Sequence, residues 1–261
     1  MSDPVSASAD KPKAIRVLTV NAHQGFGALR RSSALSRMRD ALRVAAADIV
    51  FLQEIGVAAG SANPLSQYEV LADTVWPQHA YGRNAVSAGG HHGNALLSKY
   101  PIGRWENVDA SVGRAEPRGF LYCALRVPQL STALHAVCVH LALTDSHRRR
   151  QIGRLVELVN DAIPADEPVV IAGDFNDWQE RAHRRLLHEL RLEEVHAGPR
   201  GRPRRSFPAR LPWLRLDRIY VRNLSYRCID VPRQLWAGLT DHVPLAAEIS
   251  APLATSPPAA A

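Results

Sequence analysis

Short apolar runs recur along the chain, separated by turn-forming segments. They fall at 14–22 (AIRVLTVNA), 48–54 (DIVFLQE), 93–98 (GNALLS), 119–127 (GFLYCALRV), 133–143 (ALHAVCVHLAL), 168–176 (PVVIAGDFN), 214–222 (LRLDRIYVR) and 242–250 (HVPLAAEIS). Several alternate at period two, which fits a sheet with one buried face. Two stretches carry helical spacing instead. Leu35, Met38, Leu42 and Ala45 form one stripe, and Ile152, Leu155, Val156, Val159 and Ile163 form a second, with Thr144 or Asp145 as N-cap. The arginines of 147–154 (HRRRQIGR) fall mostly off that stripe and read as a solvated face. Strands outnumber helices, and each helix follows a strand. The pattern predicts an α+β chain: sheets packed on one another with helices on the outer faces. The stretch 56–93 reads as a long irregular loop, and such loops on a rigid scaffold often carry function.

The 261 residues suit one large domain over 14–250. The ends, 1–13 and 251–261, are rich in Ser, Ala, Pro and Lys or Asp and read as disordered tails. A net charge of +7 fits polyanionic partners: nucleic acid, anionic lipid or phosphorylated small molecules. Three cysteines, Cys123, Cys138 and Cys228, lie in apolar runs and make neither a disulfide framework nor a zinc knuckle, so they read as buried thiols of a reducing compartment. The N-terminus has no apolar signal segment, and no apolar run reaches membrane-spanning length. The expected location is cytoplasmic.

The informative residues are polar ones at the ends of apolar runs. Asn21 follows VLTV, and Glu54 follows DIVFL. His140 lies late in HAVCVHL. Asp174 and Asn176 close VVIAGDFN, Asp217 interrupts LRLDRIYV, and Asp241 and His242 open the last run. A carboxylate, amide or imidazole beside a buried strand costs free energy unless it is paired or metal-bound. If the strand ends converge, they bring together Glu54, Asp174, Asp217 and Asp241 with Asn21, Asn176, His140 and His242. The oxygen donors suit a hard divalent cation such as Mg²⁺ or Mn²⁺, which polarises a phosphoryl oxygen. A histidine beside an acid suits a base that takes a proton from water, with a second Asp fixing its tautomer. Amide N–H groups suit the charge that develops on phosphoryl oxygens. The set reads as metal-assisted, in-line attack of water on a phosphate ester.

The ordered segments TVNAHQG, DIVFLQE, GNALLSKYPI, VHL, VVIAGDFND, RLDRIYV and LTDHVPL resemble the endonuclease/exonuclease/phosphatase superfamily over about residues 15–249. It includes pancreatic-type deoxyribonucleases, abasic-site endonucleases, inositol polyphosphate 5-phosphatases and neutral sphingomyelinases. The resemblance is strongest to its small bacterial members. It implies a four-layer αββα sandwich with the site at one edge. It also implies roles: Glu54 as principal metal ligand, helped by Asn21 and Asp241, and Asp174 as the residue that positions or activates water. Asn176 would grip the scissile phosphate, His140 would stabilise the transition state, and His242 with Asp217 would form the family's His–Asp pair. Whether Asp174 or His242 takes the proton stays open.

The motif NAHQGF departs from the Asn-Gly of DNA-repair members, and aromatics make up only 6% of the chain. His23 is a candidate at the site edge. Arg118 is a candidate phosphate clamp. Adjacent His91 and His92 would point apart on a strand, so they read as a loop near the site and not a zinc pair. The segment 200–208 (RGRPRRSFP) is the candidate phosphate-steering patch. The leading expectation is a Mg²⁺-dependent phosphodiesterase of nuclease type acting on nucleic acid. The alternatives are a hydrolase of phospholipid or small phosphate esters, and a fold member that binds without turnover. An apolar lip beside the site would mark the lipid form.

Overall fold

The computed structural model describes residues 14–22, 31–58, 66–73, 75–88, 90–113 and 116–252. The expected tails, apart from residues 251–252, and His23 lie outside them. Two six-stranded sheets pack face to face. The first contains β1 (Ile15–Asn21), β2 (Ile49–Ala58), β3 (Gln78–Ser87), β4 (Gly90–Ser98), β11 (Ser225–Ile229) and β12 (Leu245–Ser250), in the order β11-β12-β1-β2-β4-β3. The second contains β5 (Ile102–Asp109), β6 (Gly119–Leu125), β7 (Leu134–His140), β8 (Val169–Asp174), β9 (Glu193–Glu194) and β10 (Asp217–Arg222), in the order β5-β6-β7-β8-β10-β9. Helices α1 (Arg31–Ala45) and α2 (Gln67–Ala72) cover the first sheet, and α3 (Asp145–Ala162) and α4 (Arg181–Leu190) cover the second.

The alternation seen in the sequence divides the core into three layers. Along β1, Val17 joins Phe51, Leu121, Ala172 and Ile219 between the sheets, while its neighbour Leu18 faces outward onto Met38 and Leu42 of α1. On the second sheet's outer face, Val139 and Ile171 meet the α3 stripe of Ile152, Leu155, Val156 and Val159. This is the αββα sandwich the sequence predicts. Polar side chains bridge the sheets inside the sandwich: Gln53 donates to Cys138 Sγ (3.2 Å), and Asn94 donates to Gly119 O (2.9 Å) and Cys138 O (3.3 Å).

Several expectations need correction. The stretch 56–93 is not a long loop; it contains the end of β2, the helix α2 with a Ser66–Glu69 capping box, and β3. Arg148 does not belong to a solvated face: it is buried, donates to Ala142 O (3.1 Å), and stacks over Trp178 at 4.5 Å. Cys228 is exposed on the edge strand β11, whereas Cys123 and Cys138 are buried as expected.

Candidate active site

The strand ends do converge. His140, Asp174 and Asp217 occupy one row across the second sheet, since Asp174 is the register partner of both His140 on β7 and Asp217 on β10. In the first sheet Asn21 pairs in register with Gln53, one residue before Glu54. Glu54 lies within β2, at an irregularity in the β2–β4 pairing between Leu52 and Ile55, and its backbone is left-handed (φ 57°). For a residue with a Cβ that conformation is unfavourable, and it is retained where the surroundings dictate it.

Asp174 is the hub. Its Oδ2 accepts from Asn21 Nδ2 at 3.0 Å, which joins the two sheets at the site. The same oxygen lies 3.7 Å from His140 Nε2 and 4.0 Å from His242 Nε2. Its Oδ1 accepts from the backbone N–H of Asn176 at 2.9 Å, an Asx-type turn that uses the left-handed backbone of Asn176 (φ 48°). Asn176 in turn engages one amide N–H with Leu141 O at 2.9 Å. Gly173 makes this row possible. Its φ is 147°, and a Cβ there would lie 1.9 Å from Val139 O.

His140 Nε2 also lies 3.8 Å from Glu54 Oε1, so Glu54, His140 and Asp174 form a continuous run. His242 Nδ1 is bonded to Asp217 Oδ2 at 2.8 Å, and His242 Nε2 lies 4.0 Å from Asp241 Oδ1. Asp241 and His242 do not open a strand. They lie in the turn before β12, which Thr240 holds by donating to Asn21 O (2.6 Å) and accepting from His242 N–H (3.0 Å). Buried Ser206 accepts the N–H groups of Leu216 (3.2 Å) and Asp217 (3.0 Å), and its carbonyl accepts from Val243 N–H (2.7 Å). Thr240 and Ser206 thus position the His–Asp pair; both lie in segments that stand out in the sequence, LTDHVPL and RGRPRRSFP, but their residue types alone assign them no role.

Electrostatics separates the groups. Burial and the neighbouring Asp217 push the Asp174 carboxyl up to about 6, against the pull of His242 and the bonds from Asn176 and Asn21. Burial disfavours the charged His242 ring, but Asp217, Asp174 and Asp241 outweigh it and raise the imidazole to about 10. His140 is driven well below its ordinary value by burial and by the positive charges of Arg118 and His242. Arg118 stands just before β6, held by Glu116 at 2.8 Å, close enough to depress His92 as well. His91 and His92 are on β4, not in a loop, and they do point apart: His91 Nδ1 contacts Tyr81 OH at 2.8 Å, whereas His92 feels the Glu54 carboxylate.

A divalent cation fits this donor set. Carboxylates Glu54, Asp174, Asp217 and Asp241 lie around His140 and His242, and Asp174 is raised first by burial and then by the Asp217 charge, which a bound cation would relieve. Asp174, Asp217 and His242 could offer ligand atoms within 4.8 Å of one another. The His242 ring, however, has Nδ1 engaged by Asp217 and is held in its charged form by the surrounding carboxylates, which disfavours it as a metal ligand.

The profile of the Endonuclease/Exonuclease/phosphatase family matches residues 18–242. The chain belongs to that family. Its members hydrolyse phosphate esters and use divalent metals. Uncharacterized protein YbhP of Escherichia coli (strain K12) is 49% identical over 243 residues, covering 90% of this chain and 95% of its own. Two solved structures share the fold. The endonuclease/exonuclease/phosphatase from Beutenbergia cavernae superposes with a TM-score of 0.72 at 20% identity, over 91% of this chain and 72% of that one. The human Nocturnin catalytic domain with bound sulfate anion also gives 0.72, at 18% identity, over 92% and 95%. No helix among the described residues is long and apolar enough to cross a membrane.

Proposed function

We propose that this protein is a divalent-metal-dependent hydrolase of phosphate diesters, working by in-line attack of water on phosphorus. The observation that carries the reading is the single oxygen, Asp174 Oδ2, ringed by Asn21, His140 and His242 at 3.0, 3.7 and 4.0 Å. Mg²⁺ or Mn²⁺, held by Glu54 with Asn21 and Asp241, would polarise a phosphoryl oxygen and offset the crowded carboxylates. Asp174 orients the attacking water and accepts its proton. His242 is not the base: its Nδ1–H is committed to Asp217, and the ring is already cationic. It serves instead as a charged donor to the phosphoryl oxygens as negative charge builds. The remaining amide N–H of Asn176 and the imidazole of His140 donate to the same group. Arg118, beside His140, is the candidate clamp on a non-bridging oxygen. The +7 charge supports a polyanionic substrate, whether nucleic acid or an anionic lipid surface.

The test is hydrolysis of bis-(p-nitrophenyl) phosphate with Mg²⁺, with Mn²⁺ and with EDTA. Asp174→Ala and Glu54→Gln should each lower the rate by roughly 10²–10⁴-fold with the fold intact. Full activity in Asp174→Ala rejects the site, and an EDTA-insensitive wild type rejects the metal.

A further inference from the structure

The segment between Ser206 and Leu214 forms one wall of the cleft around His242, and backbone hydrogen bonds tie it down. Phe207 and Leu214 form an isolated bridge, Trp213 N–H donates to Phe207 O (2.9 Å), and Leu211 N–H donates to Pro208 O (3.1 Å). Ala209 N–H bonds Asp241 O (2.6 Å), and the Phe207 ring lies 4.9 Å from the His242 ring. Together with residues 231–244 the segment encloses a cavity of about 610 Å³ that opens onto Asp241 and His242. Leu211, Val231, Trp236, Val243 and Pro244 make its wall mainly apolar. A phosphate group alone needs far less room, and such a volume suits an organic group carried beside it.

The outer rim is apolar and basic at once. Leu211 is 77% and Trp213 61% exposed, and Leu143 and Trp178 stand exposed on the loops after β7 and β8 at the same edge of the sheet. Residues 200–215 contain six arginines and no acidic residue. Arg202 and Arg204 are paired with Glu180 and Asp230. Arg205, Arg210 and the nearby Arg233 are exposed and make no ion pair among the described residues. A fixed Leu–Trp tip among uncompensated arginines matches a lipid interface: the apolar side chains enter the headgroup–acyl boundary, and the guanidinium groups meet anionic headgroups. Base-edge readout would instead call for amide or other hydrogen-bonding side chains deep in the cavity, whereas Leu211, Val231, Val243 and Pro244 line it and its charged groups, Arg210, Arg233, Asp241 and His242, suit a phosphate headgroup.

Building on the phosphodiester reading above, we propose that the 207–214 loop docks this protein on an anionic lipid surface, and that the ester delivered to the site is that of a phospholipid whose apolar part lies in the cavity beside His242. Sedimentation of the full chain with vesicles of phosphatidylcholine alone, or mixed with phosphatidylglycerol, tests this. Wild type should bind the mixed vesicles, and the bound fraction should fall as salt rises. Leu211→Ser/Trp213→Ser should lower partitioning roughly tenfold or more, and Arg205→Gln/Arg210→Gln should weaken it most at low salt. Thermal melts matching wild type confirm that both variants fold. No binding by wild type, or equal binding by all three proteins, overturns the proposal. DNA binding that both double variants lose, without vesicle binding, assigns the rim to nucleic acid and overturns it too. Hydrolysis of a soluble diester by wild type is scored in parallel. Activity without vesicle binding sinks only the lipid proposal, and vesicle binding without activity sinks the reading of the site and the phospholipid substrate with it, leaving the docking surface alone.

Discussion

Asn21, at the end of β1, donates its amide to Asp174, at the end of β8, across 3.0 Å. This bond ties the two sheets together at the point where the strand ends meet, and it fixes the Asp174 oxygen that faces both histidines. Removing it leaves a buried carboxylate one donor short, a loss of about 1–3 kcal/mol in stability. Asn21→Ala should therefore lower kcat/KM on a phosphodiester by about 10²-fold while circular dichroism stays native. Asn21→Asp should be equally impaired, because it replaces a donor with a second acceptor beside Asp174. Unchanged kcat/KM in both variants would remove Asn21 from the site.

The 2.8 Å bond between Asp217 and His242 makes a second demand. With metal removed by EDTA, the His242 ring should stay protonated through neutral pH, titrating near 10 in an NMR experiment on its ring nitrogens. In Asp217→Asn the largest stabilising charge is gone, and the titration should fall by about 1–3 pH units. The same variant should lose roughly 10²-fold in kcat above its lowered titration point, where the ring is uncharged and a poorer donor to the developing charge. A His242 that titrates near 6.5 in wild type would show that the pair does not hold a cation.

The eight strands legible in the sequence are the interior strands of the two sheets, and the four that it does not show, β3, β5, β9 and β11, are the four sheet edges. The cause is burial. An edge strand needs only part of its surface covered, so β5 (IGRWENVD) and β11 (SYRCI) carry polar side chains where a central strand carries Val or Ile. Helix α4 is hidden for a related reason: its apolar positions Ala182, Leu186 and Leu190 do recur at i+4, but arginines and histidines fill the space between them. The eight polar residues at the strand ends were legible because each breaks a strong apolar pattern. Thr240, Ser206 and Asp177 were not, because hydroxyls and acids that bond backbone N–H groups look like ordinary turn residues in a sequence.

Asp177 illustrates how firmly the site is braced. Its carboxylate meets fully buried Arg218 at 3.0 Å and accepts the N–H groups of Arg181 and His183 at the start of α4, both at 3.1 Å. Arg218 also donates to Asp177 O at 2.6 Å and to Tyr220 OH at 3.1 Å. Asp177→Ala strands a guanidinium in the interior and uncaps a helix, so it should cost about 3–5 kcal/mol in urea denaturation. Because Asp177 adjoins Asn176, the same change should loosen the site and lower kcat. Replacing both partners, Asp177→Leu with Arg218→Met, should recover part of the stability but not the activity. A double variant no more stable than Asp177→Ala would show that the stranded charge is not the cause.

Glu194 and His196, two residues apart at the end of β9, give the protein opposing pH slopes. Burial pushes the Glu194 carboxyl up to about 7, only partly countered by Arg218. Burial pushes the His196 ring down to about 4, despite its bond to Ala246 O at 3.0 Å. Between 4.5 and about 7 the folded chain keeps a proton on Glu194 that the unfolded chain has released, so this residue makes stability fall as pH rises. Between about 6.5 and 4 the unfolded chain binds a proton at His196 that the folded chain refuses, so this residue makes stability fall as pH drops. Over the shared interval the two effects offset each other. Glu194→Gln should unmask the histidine: relative to wild type its stability should rise from pH 5 to pH 8, reaching a gain on the order of 2–3 kcal/mol. His196→Gln should show the reverse, with its largest advantage near pH 5. Urea midpoints at pH 5, 6.5 and 8 decide the matter, and a Glu194→Gln advantage that does not grow with pH would mean that Glu194 is ionised in the folded protein at pH 5.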